Sequence, residues 1–128
     1  ASKKESAAVN VESALTLLAS ADLGKGKKVF KKCASCHSAA EEAKHKVGPN
    51  LWDVVGRAKA SAEGYVFSIA LKDKGGDWSF ADLDQFLISP RSYVKGTKMS
   101  FFGLKKVGDR AAVIAYLRTL SISPKPLP

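Results

Sequence analysis

The 128 residues are enough for one domain with a single core, not two. Lys and Arg outnumber Asp and Glu by 21 to 12, and a net charge of +9 implies an acidic partner: nucleic acid, an anionic membrane or an acidic protein face. The basic residues are dispersed lysines with few arginines and no nucleic-acid fold signature, which argues against nucleic acid, and no apolar run approaches the ~20 residues that cross a bilayer.

Ala1 is not Met, so the chain is expected to be processed or excised, and a signal or anchor that preceded it would not be visible. Residues 1–21 read as an N-terminal tether or linker, rich in Ser, Ala, Lys and Glu, with a short apolar patch at Leu15, Leu17 and Leu18. Ser20 or Asp22 can cap a helix over 22–33, where Leu23, Gly26, Val29, Phe30 and Cys33 share one face and lysines the other. From 38 to 64 the punctuation is loop-like, with Gly48-Pro49 and Gly56 as breakers and a short helix expected at 50–55. Residues 65–73 have helical spacing and stop at Gly75-Gly76.

Ser79 with Asp82 opens a helix to about Ile88, which Ser89-Pro90 ends. A loop follows over 91–107. Asp109 is expected to cap a last helix to about Leu120, with Ala112, Val113, Tyr116, Leu117 and Leu120 facing inward. Residues 121–128 form a proline-rich tail that cannot continue it. With no internal repeat and no strand pattern, the class is all-α, with long loops between short helices. Short helices joined by long loops need something to organise them, and a large flat apolar cofactor would do so.

The two cysteines stand in Cys33-Ala34-Ser35-Cys36-His37. Cys-x-x-Cys-His is the attachment signature of c-type haem. Thiols three residues apart lie on one side of a helical turn and can reach two vinyl groups of one porphyrin edge, and the next residue then offers an imidazole to the iron. Two other readings stand beside it. A redox dithiol belongs near a βαβ pattern, and zinc would need four ligands, which Cys33, Cys36, His37 and His45 could supply. The single methionine, Met99, falls in the glycine-punctuated stretch Lys95-Gly96-Thr97-Lys98-Met99 rather than on an apolar helix face.

In order along the chain come Gly-Lys-Lys-Val-Phe-Lys-Lys-Cys-Ala-Ser-Cys-His, Lys-His-Lys-Val-Gly-Pro-Asn-Leu, Val-Gly-Arg, Lys-Gly-Gly-Asp-Trp, Leu-Ile-Ser-Pro, Gly-Thr-Lys-Met and Ala-Tyr-Leu. Through these stretches, over about 22–120, the sequence resembles class I cytochrome c, the group that includes mitochondrial cytochrome c and bacterial cytochrome c2. The resemblance implies that fold, with first and last helices in contact through Gly26, Phe30, Tyr116 and Leu117. It implies one covalent haem c on Cys33 and Cys36, with iron held axially by His37 and Met99. Pro49 would accept from the outer nitrogen of His37, Arg57 and Trp78 would meet a haem propionate, and His45 would tie a loop together.

The resemblance also implies an electron carrier rather than an enzyme. It would be a monomer that docks acidic faces of redox proteins through Lys28, Lys32, Arg91, Lys98, Lys105 and Lys106. Its donor and acceptor would be a cytochrome bc1 complex and a terminal haem–copper oxidase. The tether resembles that of membrane-anchored bacterial relatives, which places the domain in the periplasm, attached to the inner membrane through a missing N-terminal segment; the mitochondrial intermembrane space is the alternative. Three positions depart from the pattern: Phe67 and Phe86 where relatives often have Tyr, and Lys95 where Pro commonly precedes Gly-Thr-Lys-Met. A ligand-binding or catalytic haem protein would follow instead if Met99 were not on the iron.

Overall fold

The computed structural model describes residues 13–128; the stretch 1–12, which includes most of the expected tether, lies outside the described residues. Within the described residues the chain is helices and turns, with one isolated antiparallel β-bridge between Ala58 and Asp77. A 3₁₀ helix, Ala14–Ser20, precedes five α-helices: α1 (Leu23–Ala34), α2 (Ile69–Lys74), α3 (Phe80–Ile88), α4 (Pro90–Tyr93) and α5 (Val107–Thr119).

Helix α1 begins because Asp22, in extended conformation, accepts hydrogen bonds from the N–H groups of Gly24 and Lys25. Its apolar stripe buries Gly26, Val29 and Phe30 against α5. The crossing is close: a Cβ on Gly26 would lie 2.2 Å from the Ala112 carbonyl oxygen and 2.8 Å from Tyr116 Cβ. Phe30 and Tyr116 meet with ring centroids 5.4 Å apart. The first-to-last helix contact expected from the sequence is therefore present, with Gly26 at its tightest point.

Helix α5 differs from its expected form at its start and in its burial. It opens at Val107 after Lys106, which makes no side-chain cap, and Asp109 sits inside the first turn, where its charge suits the helix N-terminus and pairs with Lys25 at 3.5 Å. Residues 110–115 and Leu117 are all buried, because α1, α3 and the 3₁₀ helix surround this half of α5. Arg110 is fully buried within it. Its Nε donates to Asp84 Oδ1 at 2.6 Å and its Nη1 to the carbonyls of Leu104 and Lys105. The second oxygen of Asp84 accepts from Ala14 N–H at 3.0 Å, so one buried ion pair joins α3, α5 and the 3₁₀ helix. Ala14 and Leu18 are buried there and Leu15 packs against them, while Leu17 of the same patch stays exposed.

The expected helix at 50–55 is a run of turns. The Asn50 carboxamide oxygen accepts from Trp52 N–H at 2.6 Å, a local bond that competes with helix, and Asp53 and Gly56 take φ of 62° and 83°. Asn50 Nδ2 also donates to the carbonyls of Ala40 and Ala43. His45 accepts from Asn50 N–H and bonds the Glu63 carbonyl at 2.7 Å. The long loop is thus organised to a large extent by its own side chains. Helix α2 starts at Ile69, later than its spacing suggested, where Ser68 caps it. Ser79 caps α3 by accepting from Asp82 N–H, as its sequence predicts. Pro90 ends α3 and also opens the single turn of α4, where the sequence predicts a loop.

Candidate functional site

Several segments converge on one cavity of ≈ 440 Å³, a size suited to a cofactor. The end of α1 and the turn after it bring Cys33, Cys36 and His37. The loops 47–57 and 65–68 bring Pro49, Arg57 and Phe67, and α3 with Trp78 forms another wall. The segment 97–102 brings Met99. Leu51, Val54, Leu71, Leu83, Leu87 and Val113 make the lining largely apolar, and Phe67 and Phe86 both belong to it.

His37 is fixed from two sides. Its Nδ1 donates to the Pro49 carbonyl at 2.7 Å, which leaves Nε2 as the nitrogen with a free lone pair. A Cβ on Gly48 would lie 2.2 Å from His37 Cε1, so glycine is the residue that allows the ring its place. Burial pulls the imidazole below its ordinary pKa; the Pro49 bond opposes this and the Arg57 charge adds to it. The ring is therefore neutral at neutral pH, the form that ligates metals.

Burial pushes the Cys33 thiol up to about 11, with Cys36 adding to the rise and Lys32 opposing it. A redox dithiol needs an easily formed thiolate, so this environment speaks against that reading. The zinc reading loses its geometry: among the described residues no three His, Cys, Asp or Glu side chains come together as a metal site. His45, the fourth candidate, spends both ring nitrogens on Glu63 and Asn50.

Arg57 supplies an independent sign of what the cavity takes. Its Nη1 donates to the carbonyls of Asn50 and Trp52, but its Nε is buried with no partner. A buried unpartnered guanidinium N–H costs free energy unless an acceptor meets it. An anionic group carried by a flat apolar cofactor fits that requirement, as haem with its propionates would. The residues present fit the group: two thiols, one oriented imidazole, one thioether, an apolar lining and one unpartnered cationic donor.

The basic residues expected to dock partners are all exposed, and they divide by position. Lys32 and Lys98 stand at the cavity rim. Lys98 Nζ donates to the Val66 carbonyl at 2.7 Å, and Lys105 Nζ donates to the Ile88 carbonyl at 2.6 Å while lying 5.1 Å from the Phe102 ring centroid. Lys28 lies on the outer face of α1, Arg91 on α4 and Lys106 at the start of α5; none of the three lines the cavity. Sequence reasoning missed Lys59, the Asp84–Arg110 pair and the exposed Phe102. Arg110 left a signal: it falls on the same stripe as Val113, Ile114 and Leu117, where an unpaired charge would be untenable.

The comparisons agree with this geometry. A family model described as cytochrome c matches residues 23–121. A cytochrome c homolog of Bradyrhizobium diazoefficiens is 47% identical over 113 residues, covering 88% of this chain and 61% of that protein. Cytochrome c of Ulva intestinalis is 46% identical over 98 residues, covering 76% of this chain and 88% of that one. Among solved structures, cytochrome cH from Methylobacterium extorquens superposes with a TM-score of 0.72 at 43% identity, covering 77% of this chain and 98% of its own. The chain spans about three-fifths of the length of bacterial relatives that it matches.

Proposed function

The chain belongs to the cytochrome c family, and on that premise we propose that it carries single electrons in a respiratory chain through one covalently held haem c. The observation that carries this reading is the meeting of Cys33, Cys36, His37 and Met99 around one apolar cavity whose wall holds the unpartnered Arg57 Nε. Cys33 and Cys36 would hold the group through thioethers, and His37 and Met99 would be its axial ligands. Bound there, haem supplies an iron that alternates between ferrous and ferric states.

The chain's own residues do the rest. Pro49 and Gly48 fix the His37 ring. Arg57, with Trp78 beside it in the wall, would meet the propionates. The apolar lining excludes water. Lys32 and Lys98 at the rim, with Lys28, Arg91, Lys105 and Lys106 elsewhere on the surface, would steer acidic faces of redox proteins toward the site. We take these to be a cytochrome bc1 complex as donor and a terminal haem–copper oxidase as acceptor. On this reading the chain acts as a monomeric carrier, not an enzyme, in a bacterial periplasm, tethered to the inner membrane through its N-terminal side. No helix among the described residues is long and apolar enough to cross a membrane, so an anchor would have to lie elsewhere.

An absorption spectrum of purified protein, oxidised and reduced and extended to the near infrared, tests the reading. A sharp c-type reduced band with a weak near-infrared Met–iron band in the oxidised state is the expected result. A c-type haem without that band would point to an open or differently ligated iron. Docking has its own test: the electron-transfer rate with an acidic partner is expected to fall about tenfold or more between low and high salt, because the Debye length shrinks from ~30 Å at 0.01 M to ~3 Å at 1 M. A rate indifferent to salt would remove the lysines from docking.

A further inference from the structure

Lys59 carries no motif, yet it is the most enclosed lysine at the site. Its side chain is 3% exposed. Its Nζ donates to the Gly75 carbonyl at 3.1 Å, the Asp77 carbonyl at 3.2 Å and Asp82 Oδ2 at 2.8 Å. The same ammonium lies 5.0 Å from the Trp78 ring centroid and 5.9 Å from that of Tyr93. Trp78 lines the cavity and Lys59 does not, so one indole stands between a buried cation and the group the cavity holds.

The pair is held in that order by the backbone. Lys59 N–H donates to the Gly76 carbonyl and Trp78 N–H to the Arg57 carbonyl, next to the Ala58–Asp77 bridge. The carboxylate is the more exposed end: the Asp82 side chain, in the first turn of α3, is 35% exposed. Burial pushes Asp82 up, but hydrogen bonds from Lys59 and Tyr93 and the charges of Lys59 and Lys74 outweigh it and hold the carboxyl below its ordinary pKa. A buried lysine costs several kcal/mol in desolvation, and an apolar side chain of the same length would fill the space without that cost. The charge itself is therefore the feature to explain.

Resting on the carrier reading above, we infer that Lys59 and Asp82 form an oriented charge pair behind Trp78 that raises the reduction potential of the site. The oxidised site carries one more positive charge than the reduced one. A buried cation against the cavity wall disfavours that extra charge, while the partly solvated carboxylate is screened and cancels only part of the effect. Lys59 touches neither the cavity nor its contents; it acts through Trp78 and through its field.

The test is a redox titration at neutral pH of holoprotein matured by its host, for wild type, Lys59→Met, Asp82→Asn and the double variant, with the near-infrared band recorded on each. Lys59→Met is expected to lower the potential so that the reduced-to-oxidised ratio at fixed solution potential falls about tenfold, which is about 59 mV for one electron. Asp82→Asn keeps an acceptor for Lys59 and Tyr93 but removes the negative charge, and is expected to raise the potential so that the same ratio rises severalfold. The double variant should fall between the two. Simple loosening of the wall would admit water and lower the potential in every variant, so opposite signs are the signature. Shifts of one sign, or none, overturn the inference. If Lys59→Met yields no holoprotein, Asp82→Asn decides alone: a rise supports the pair and a fall or no change refutes it. A wild type with the Met–iron band but without opposite shifts defeats this inference only; a wild type lacking the band defeats the carrier reading beneath it.

Discussion

Asp84→Ala is expected to destabilise the folded protein by about 3–5 kcal/mol, read as a lower denaturation midpoint with an unchanged denaturant slope. Arg110 is fully buried on α5, and Asp84 is the carboxylate that its Nε meets at 2.6 Å. Removing the carboxylate takes away the counter-charge that the buried Arg110 Nε meets and also frees the Ala14 N–H that holds the 3₁₀ helix. Domains of this size have only about 5–15 kcal/mol of stability in total, so the loss is a large share of it. The double change Asp84→Leu with Arg110→Leu should be milder than Asp84→Ala, since no charge is then stranded. A loss under about 1 kcal/mol for Asp84→Ala would mean that the pair contributes little and that Arg110 is satisfied by the Leu104 and Lys105 carbonyls.

With the iron held by His37 and Met99 as proposed, Met99→Ala is expected to leave the haem covalently attached, to abolish the near-infrared band of the oxidised protein and to lower the reduction potential by more than about 100 mV, within the roughly 0.8 V that axial ligands command. The segment around Met99 is anchored independently of its thioether. Met99 N–H donates to Thr97 Oγ1 at 3.2 Å, Lys98 reaches the Val66 carbonyl, and Leu104 N–H donates to the Leu87 carbonyl at 2.7 Å. Gly103 sits so close to α3 that a Cβ there would lie 2.2 Å from the Ile88 carbonyl oxygen. Loss of the sulfur should therefore open the iron without unfolding the segment, and small ligands such as cyanide should bind faster than to wild type. An unchanged band in Met99→Ala would assign the sixth position to another residue.

What the sequence made legible follows from how local each signal is. Helix α1 could be read because Asp22 caps it and its apolar residues recur at helical steps, both within one short window. The Cys33–His37 motif could be read because the chemistry itself demands contiguity. The turns at 50–55 could not, since apolar Leu51, Val54 and Val55 imitate a helix while the Asn50 side chain, bonded to residues on both sides of it in sequence, decides against one. The start of α5 is not legible because Asp109 has the chemistry of a cap, whereas the helix opens two residues earlier at Val107, half-buried against the core, with no side-chain cap. Lys59 and Asp84 were invisible as a matter of principle. Their partners lie far along the chain, and nothing local distinguishes a buried lysine from a solvated one.

The crossing of α1 on α5 sets the order in which the molecule can assemble. Gly26 and Ala112 come from opposite ends of the described chain, and nothing between them can bring them together except closure of almost the whole domain. The entropy of such a closure rises only as the logarithm of loop length, about 0.6 kcal/mol per doubling, but it falls due before the contact returns anything. A largely helical chain of this length would otherwise fold among the fast; this one must wait for an end-to-end encounter. Until it happens, Phe30 and Tyr116, which pack on each other across that crossing, are both left facing water, and that half-assembled species is the one with the greatest tendency to self-associate.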